Sequence, residues 1–142
     1  MIDLQRAEKA LAEGGYTLVL VKGERVITSN QRGVAPLLAL IDTDVTGFSA
    51  ADKVVGKAAA LLYVKLGVCA VSAGVISSSA VDTLKKCNIE CRARELTENI
   101  INRAGDGICP MEQAVAGISS PEKAVIVLKE TIAKMKADKF GK

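Results

Sequence analysis

"GFSAADKVVGKAAA", residues 47–60, is the stretch on which the fold turns. Read as helical, it makes Ser49 the N-cap and Asp52 the third helical residue, an aspartate version of a capping box. A helix over residues 50–66, "AADKVVGKAAALLYVKL", then follows and is ended by Gly67. Its Ala, Val and Leu positions cover most of the circumference, which predicts burial on more than one side. Capping alone accounts for Ser49 and Asp52, but two features pull towards a site. Lys53 and Lys57 lie one turn apart among apolar positions, and a lysine near a helix start opposes the macrodipole unless an anion is present. Gly56, in mid-helix, costs about 1 kcal/mol relative to alanine and suggests that something packs closely against the backbone.

Outward from this stretch the elements alternate. Leu4, Ala7 and Leu11 fall at helical spacing and predict a helix over residues 3–13, ended by glycine. "YTLVLVKG" and "ERVITSN" flank a Lys-Gly-Glu turn and predict a β-hairpin. "VAPLLALID" reads as a short helix with Pro36 in its first turn. On the other side, "VCAVSAGVIS" predicts a strand, "SSAVDTLKKCN" a helix and "IECRAREL" a strand. Residues 98–108 read as a loop or a fragmentary helix, followed by a helix opened by Pro110 and a last helix from Pro121 to about Lys136. Strands separated by helices argue for parallel pairing, and the hairpin adds an antiparallel strand. The expected architecture is a three-layer α/β/α sandwich around a mixed four-stranded sheet. One domain over residues 1–142 is expected, with a basic tail at 137–142.

Composition narrows the chemistry. The 142 residues include no histidine, so triads and metal sites that need imidazole are excluded. Two Phe, two Tyr and no Trp leave few platforms for base stacking, and no nucleic-acid partner is expected. Apolar residues make up 49% of the chain, enough for an aliphatic core, and the net charge is only +3. The apolar runs are broken by Lys or Gly, so no membrane span is expected, and the first residues lack the apolar stretch of a signal peptide. A cytoplasmic location follows as the expectation. Of the four cysteines, Cys69 reads as a small core residue, and Cys87 and Cys91 form a lone Cys-x3-Cys pair, weak grounds for zinc or a disulfide.

Two further stretches carry candidate chemistry. In "VISSSAVDTL", residues 75–84, Ser77, Ser78 and Ser79 sit where a strand gives way to a helix. They are either plain N-caps or, with the free N–H groups, a cradle for phosphate or carboxylate. In "NRAGDGICPMEQ", residues 102–113, Gly105 and Gly107 permit a tight backbone path that Asn102 and Arg103 could line. Cys109 stands just outside the helix opened by Pro110, with Glu112 at the third helical position. A helix start lowers a thiol's pKa, whereas a neighbouring carboxylate raises it. Cys109 therefore reads as a structural cap, a thiol in a ligand site or a nucleophile, and the sequence leaves all three open.

"DKVVGKAAALL" and "NRAGDGICPMEQ" together resemble an uncharacterised prokaryotic family, domain of unknown function 1893. The resemblance runs from the hairpin through Glu112. It implies a cytidine-deaminase-like fold and no established activity. Zinc deaminases place His or Cys, any residue, then Glu at one helix start, and Pro-Cys-x-x-Cys at the next. Here Ala50, Ala51 and Asp52 stand at the first place and Ser77, Ser78, Ser79 and Ala80 at the second. The expectation is thus a metal-free site with no cofactor, at which Asp52, Lys53, Cys109 and Glu112 would do any chemistry. Ser77, Ser78, Ser79, Asn102, Arg103 and Gly56 would bind the ligand, with Lys53 and Arg103 sharing one pocket. That ligand would be a small anion, with nucleotides among the candidates. Whether it is turned over is left open, and a sensor or an oligomeric structural module is the alternative.

Overall fold

In the computed structural model, which describes residues 2–102 and 104–140, the decisive stretch is a strand and not a helix. β3 runs over Ser49–Val55, and the helix α3 begins only at Lys57 and ends at Leu66. Before it come α1 (Asp3–Gly14), β1 (Leu18–Lys22), β2 (Arg25–Ser29) and α2 (Ala35–Ala39). After it come β4 (Ala70–Ser77), α4 (Ser78–Lys86), β5 (Glu90–Thr97), α5 (Pro110–Ala114) and α6 (Pro121–Phe140). The sheet therefore has five strands, in the order β2-β1-β3-β4-β5, where four were expected. β1 pairs antiparallel with β2 and β3, while β3, β4 and β5 run parallel.

The misreading of β3 has a physical cause. β3 lies in the middle of the sheet, and elements cover both of its faces. Ala50 packs into the core on the α3 side and Ala51 into the smaller cluster under α1, and both are fully buried. A strand buried on both faces loses the apolar–polar alternation that marks a half-buried one. Its apolar run then merges with the next helix, and periodicity alone does not divide them. Gly56 makes the division: it is the N-cap of α3, not a mid-helix residue.

Two clusters flank the sheet. The larger gathers Leu37, Leu61, Leu62, Tyr63, Leu84 and Leu128 from α2, α3, α4 and α6 with Phe48, just before β3, and Val115, just after α5, over the strand face beneath them. The smaller sets Ala7 of α1 against Val19, Val21 and Ala51. Each fully buried Leu adds about 1.5–3 kcal/mol relative to an exposed one. Along β4 the alternation slips by one residue at Gly74. Val71 and Ala73 face the larger cluster, and so does Ile76, with the paired register skipping Gly74 and its neighbours Lys53 and Arg94. A side chain at Gly74 would meet the Lys53 carbonyl oxygen at 2.6 Å, so glycine is what permits the slip.

Two smaller expectations also change. Cys69 is exposed, not a core residue, because it precedes β4 at the amino end of the sheet, where its thiol reaches the Gly47 carbonyl at 3.2 Å. The expected basic tail is in part helical, since α6 continues to Phe140. Among the described residues no helix is long and apolar enough to cross a membrane.

Candidate functional site at two neighbouring helix starts

β3 and β4 are parallel neighbours, so α3 and α4 both begin beyond the carboxyl ends of the strands. In open α/β sheets this is where ligands bind. A helix start exposes N–H groups without intrahelical partners, and these attract anions. The two starts satisfy that demand in different ways.

At α4 the cap is local. The Ser77 hydroxyl accepts a hydrogen bond from the Ala80 N–H at 3.2 Å and lies 3.2 Å from the Ser79 hydroxyl. Ser77 is buried, whereas Ser78 and Ser79 are exposed, and the Ser78 hydroxyl donates to the Thr97 carbonyl at 3.4 Å.

At α3 the cap comes from far along the chain. No side chain of Gly56 exists to fill the role, and both carboxylate oxygens of Glu112 do so. The Lys57 N–H donates to Oε1 at 2.7 Å and the Ala58 N–H to Oε2 at 2.8 Å. A Cβ on Gly56 would lie 2.4 Å from the Glu112 carboxyl carbon, so the glycine is the space in which the carboxylate sits. The expected close packing against Gly56 is real, but the packed group belongs to the chain itself. Lys57 returns the connection: its Nζ donates to the Ala116 carbonyl at 3.2 Å, just past α5. Sequence reading noted Lys57 beside Lys53 but did not count it among the site residues.

Glu112 therefore does not close a capping box with Cys109. The Cys109 N–H donates to the Ile100 carbonyl at 2.9 Å, its carbonyl accepts from the Gln113 N–H at 3.1 Å, and its thiol makes no capping bond. Cys109 is half-buried at the start of a five-residue helix. Asn102 serves its own loop, where its amide donates to Asp106 Oδ1 at 2.9 Å and its Oδ1 accepts from the Asp106 N–H. Arg103 lies outside the described residues.

Asp52 and Lys53 are strand residues, not members of a helix start as expected, because β3 does not end until Val55. Asp52 points towards α3, where the Tyr63 hydroxyl donates to its Oδ2 at 2.6 Å. Burial pushes the Asp52 carboxyl up to about 7, against the lowering effect of the Tyr63 hydroxyl and the Val54 and Lys53 N–H groups. Tyr63 is fully buried, and burial together with Asp52 raises its phenol well above the ordinary range. Tyr63 was legible only as one of the chain's two tyrosines, in a helix whose other residues, Lys57 and Lys65 apart, are small or aliphatic. Lys53 is exposed. The structure thus brings together Gly56 with Glu112, Ser77 with Ser79, and Asp52 with Tyr63. Among the described residues no three Cys, Asp or Glu side chains gather as metal ligands.

The architecture is that of a mixed α/β protein with one five-stranded sheet and two helix starts side by side at its carboxyl end. The chain belongs to the family described as Domain of unknown function (DUF1893), TM1506, whose profile matches residues 6–132. It is similar to the crystal structure of a DUF1893 family protein (TM1506) from Thermotoga maritima, with 27% identity and a TM-score of 0.81. That match covers 93% of this chain and 89% of the other. No curated protein matches the chain.

Proposed function

We propose that the domain has a cytidine-deaminase-like fold and binds a small anionic ligand, with nucleotides among the candidates, through a site that uses no metal. The supporting observation is the Glu112 carboxylate seated on the Lys57 and Ala58 N–H groups. An internal anion holds the place that a ligand's phosphate or carboxylate would take, and a ligand would bind by displacing it. In a cytidine-deaminase-like fold the starts of α3 and α4 would correspond to the two zinc-ligand motifs, so that Gly56, Lys57 and Ala58 would take the place of the first and Ser77, Ser78 and Ser79 that of the cysteines. None of these side chains is a zinc ligand of the usual kind. Asp52, titrating near neutrality, has the right range for a general acid or base. Its place behind α3, bonded to Tyr63, supports binding over turnover as the primary reading.

The fit of Glu112 against Gly56 also supports a second reading, in which the carboxylate is a permanent brace between α3 and α5. One titration separates the two. Inorganic phosphate and a nucleoside monophosphate are added to the wild type and to Glu112→Gln while the Lys57 and Ala58 amide resonances are followed by NMR. Ligand binding predicts saturable shifts at both amides and about tenfold tighter binding in the variant. Unmoved amides in both proteins, up to millimolar ligand, establish the brace.

A further inference from the structure

β5 is the edge of the sheet, and it is unusually bare. It is eight residues long, and none of them is buried. Edge strands are normally kept short or carry proline, charged side chains (lysine above all) or a covering element, because their open N–H and C=O groups invite another strand. Glu90–Thr97, "ECRARELT", is long and has no proline, and its four charges, Glu90, Arg92, Arg94 and Glu95, are two of each sign, so they do not by themselves repel a second copy of the strand.

We propose that two copies of this chain associate by antiparallel pairing of their β5 strands, in the register that sets Arg92 opposite the partner's Glu95. Three observations converge on that register. It is the one that pairs all eight residues, Glu90 facing the partner's Thr97. It is also the one that the slip at Gly74 favours. A two-fold axis through a continuous sheet places opposite residues on the same face, and a regular strand would put positions 92 and 95 on opposite faces. The slip brings them to one face. Arg92 lies beside Ser72, and both bond Glu8 of α1. Glu95 lies beside Val75, which turns away from the core face occupied by Ile76. Cys91 and Leu96 then share the other face, beside Val71 and Ile76, and meet each other across the axis.

The charges complete the argument. In this register Arg92 and Glu95 form two reciprocal pairs, which stabilise an antiparallel ladder, while like charges opposite each other weaken it. Shifting by one residue in either direction sets Arg92 against Arg94 or Arg94 against itself. Shifting by two leaves only six residues paired in either direction: one direction opposes Glu90 and the partner's Glu95, and the other, though it sets Arg94 against the partner's Glu95, leaves Glu90 and Cys91 unpaired. Arg92 holds Glu8 through Nε and Nη2, which leaves Nη1 for the second carboxylate. Leu96, 65% exposed in the single chain, is covered on pairing.

Multi-angle light scattering and sedimentation equilibrium on the purified chain test the assembly, and a cysteine cross-link tests the register. The expected results are a dimer for the wild type and a dissociation constant raised at least about tenfold in Glu95→Arg. Leu96→Cys is expected to form a disulfide dimer under mild oxidation that disappears when Cys91→Ser is added. A wild type that is monomeric at all concentrations overturns the proposal. So does a dimer that Glu95→Arg leaves intact, or a Leu96→Cys cross-link that survives Cys91→Ser. Circular dichroism of Glu95→Arg, an exposed substitution, is expected to match the wild type, so loss of the dimer reports the interface.

Discussion

α3 and α4 start side by side at the same end of the sheet, yet one is capped from one residue before its first turn and the other from fifty-five positions away. Ser77 caps α4 within its own segment. Glu112 caps α3 across a whole strand–helix–strand unit and the loop that follows, 55 and 54 positions away in sequence. A local cap stabilises its helix even before the fold is complete. A distant cap exists only once the sheet, α3 and the 98–114 segment are in place, so it couples them and stabilises the tertiary structure. The unequal strength of the two caps follows. A serine cap is a single neutral hydrogen bond, while a carboxylate on two N–H groups at a helix start makes two charge-assisted ones.

Removing the distant cap is the larger perturbation. Glu112→Ala strips both bonds from the start of α3 and is expected to lower unfolding stability by about 3 kcal/mol, measured by urea denaturation. A loss below about 1 kcal/mol would place Glu112 with ordinary surface caps and erase the contrast with α4.

The second carboxylate of this region, Asp52, has the opposite environment: desolvated, with Tyr63 as its one side-chain donor. Its carboxyl is raised from 3.8 to about 7 in the folded state, so the folded chain holds a proton that the unfolded chain has lost. Stability attributable to Asp52 is thus fully present below about pH 4, falls as pH rises towards 7, and is level above that. Allowing for partial solvent access, the loss is about 2 kcal/mol of the upper limit set by about 1.4 kcal/mol per pKa unit. Asp52→Asn, which keeps an acceptor for Tyr63, is expected to flatten the profile between pH 4 and 7 and to be the more stable protein at pH 8. Glu8, held low by Arg92 and Ser72, acts in the other direction, its contribution being lost as pH falls below its unfolded value of 4.5. An unchanged fall between pH 4 and 7 in Asp52→Asn would contradict the assignment to Asp52, since Glu8 acts at lower pH and with the opposite sign.

The smallest effect belongs to the local cap. Ser77→Ala is expected to cost about 1 kcal/mol. A cost equal to that of Glu112→Ala would mean that distance along the chain makes no difference to the two starts.

The same contrast explains what could be read in advance. The hairpin, α4 and β5 were legible, since each carries its own period and its own turn or cap within a few residues, and β4 was legible from its small and β-branched residues between Gly67 and the serines. Ser77 as a cap was legible for that reason. β3 was not, because Ala50 and Ala51 are buried on opposite faces and leave no alternation to count. Displacing the α3 start from residue 50 to Lys57 moved Asp52 and Lys53 out of the helix and onto the strand. Gly56 did signal a close approach, but nothing in the linear sequence names Glu112 as the group that approaches. "CPMEQ" looks like a self-contained helix start, and its glutamate serves another helix. That pairing is a product of the fold, as is the contact of Asp52 with Tyr63.

The central claim is that the Glu112 carboxylate occupies the space left by Gly56 and caps α3 from there. A double-mutant cycle of Gly56→Ala and Glu112→Ala, followed by urea unfolding, tests it most directly. The backbone of Gly56, at φ −100° and ψ −175°, is open to alanine, so the added methyl matters only through the carboxylate it would displace. Gly56→Ala is therefore expected to cost about 2 kcal/mol in the wild type and almost nothing when Glu112 is already alanine, a coupling of about 2 kcal/mol. Costs that add to within about 0.5 kcal/mol would contradict the account.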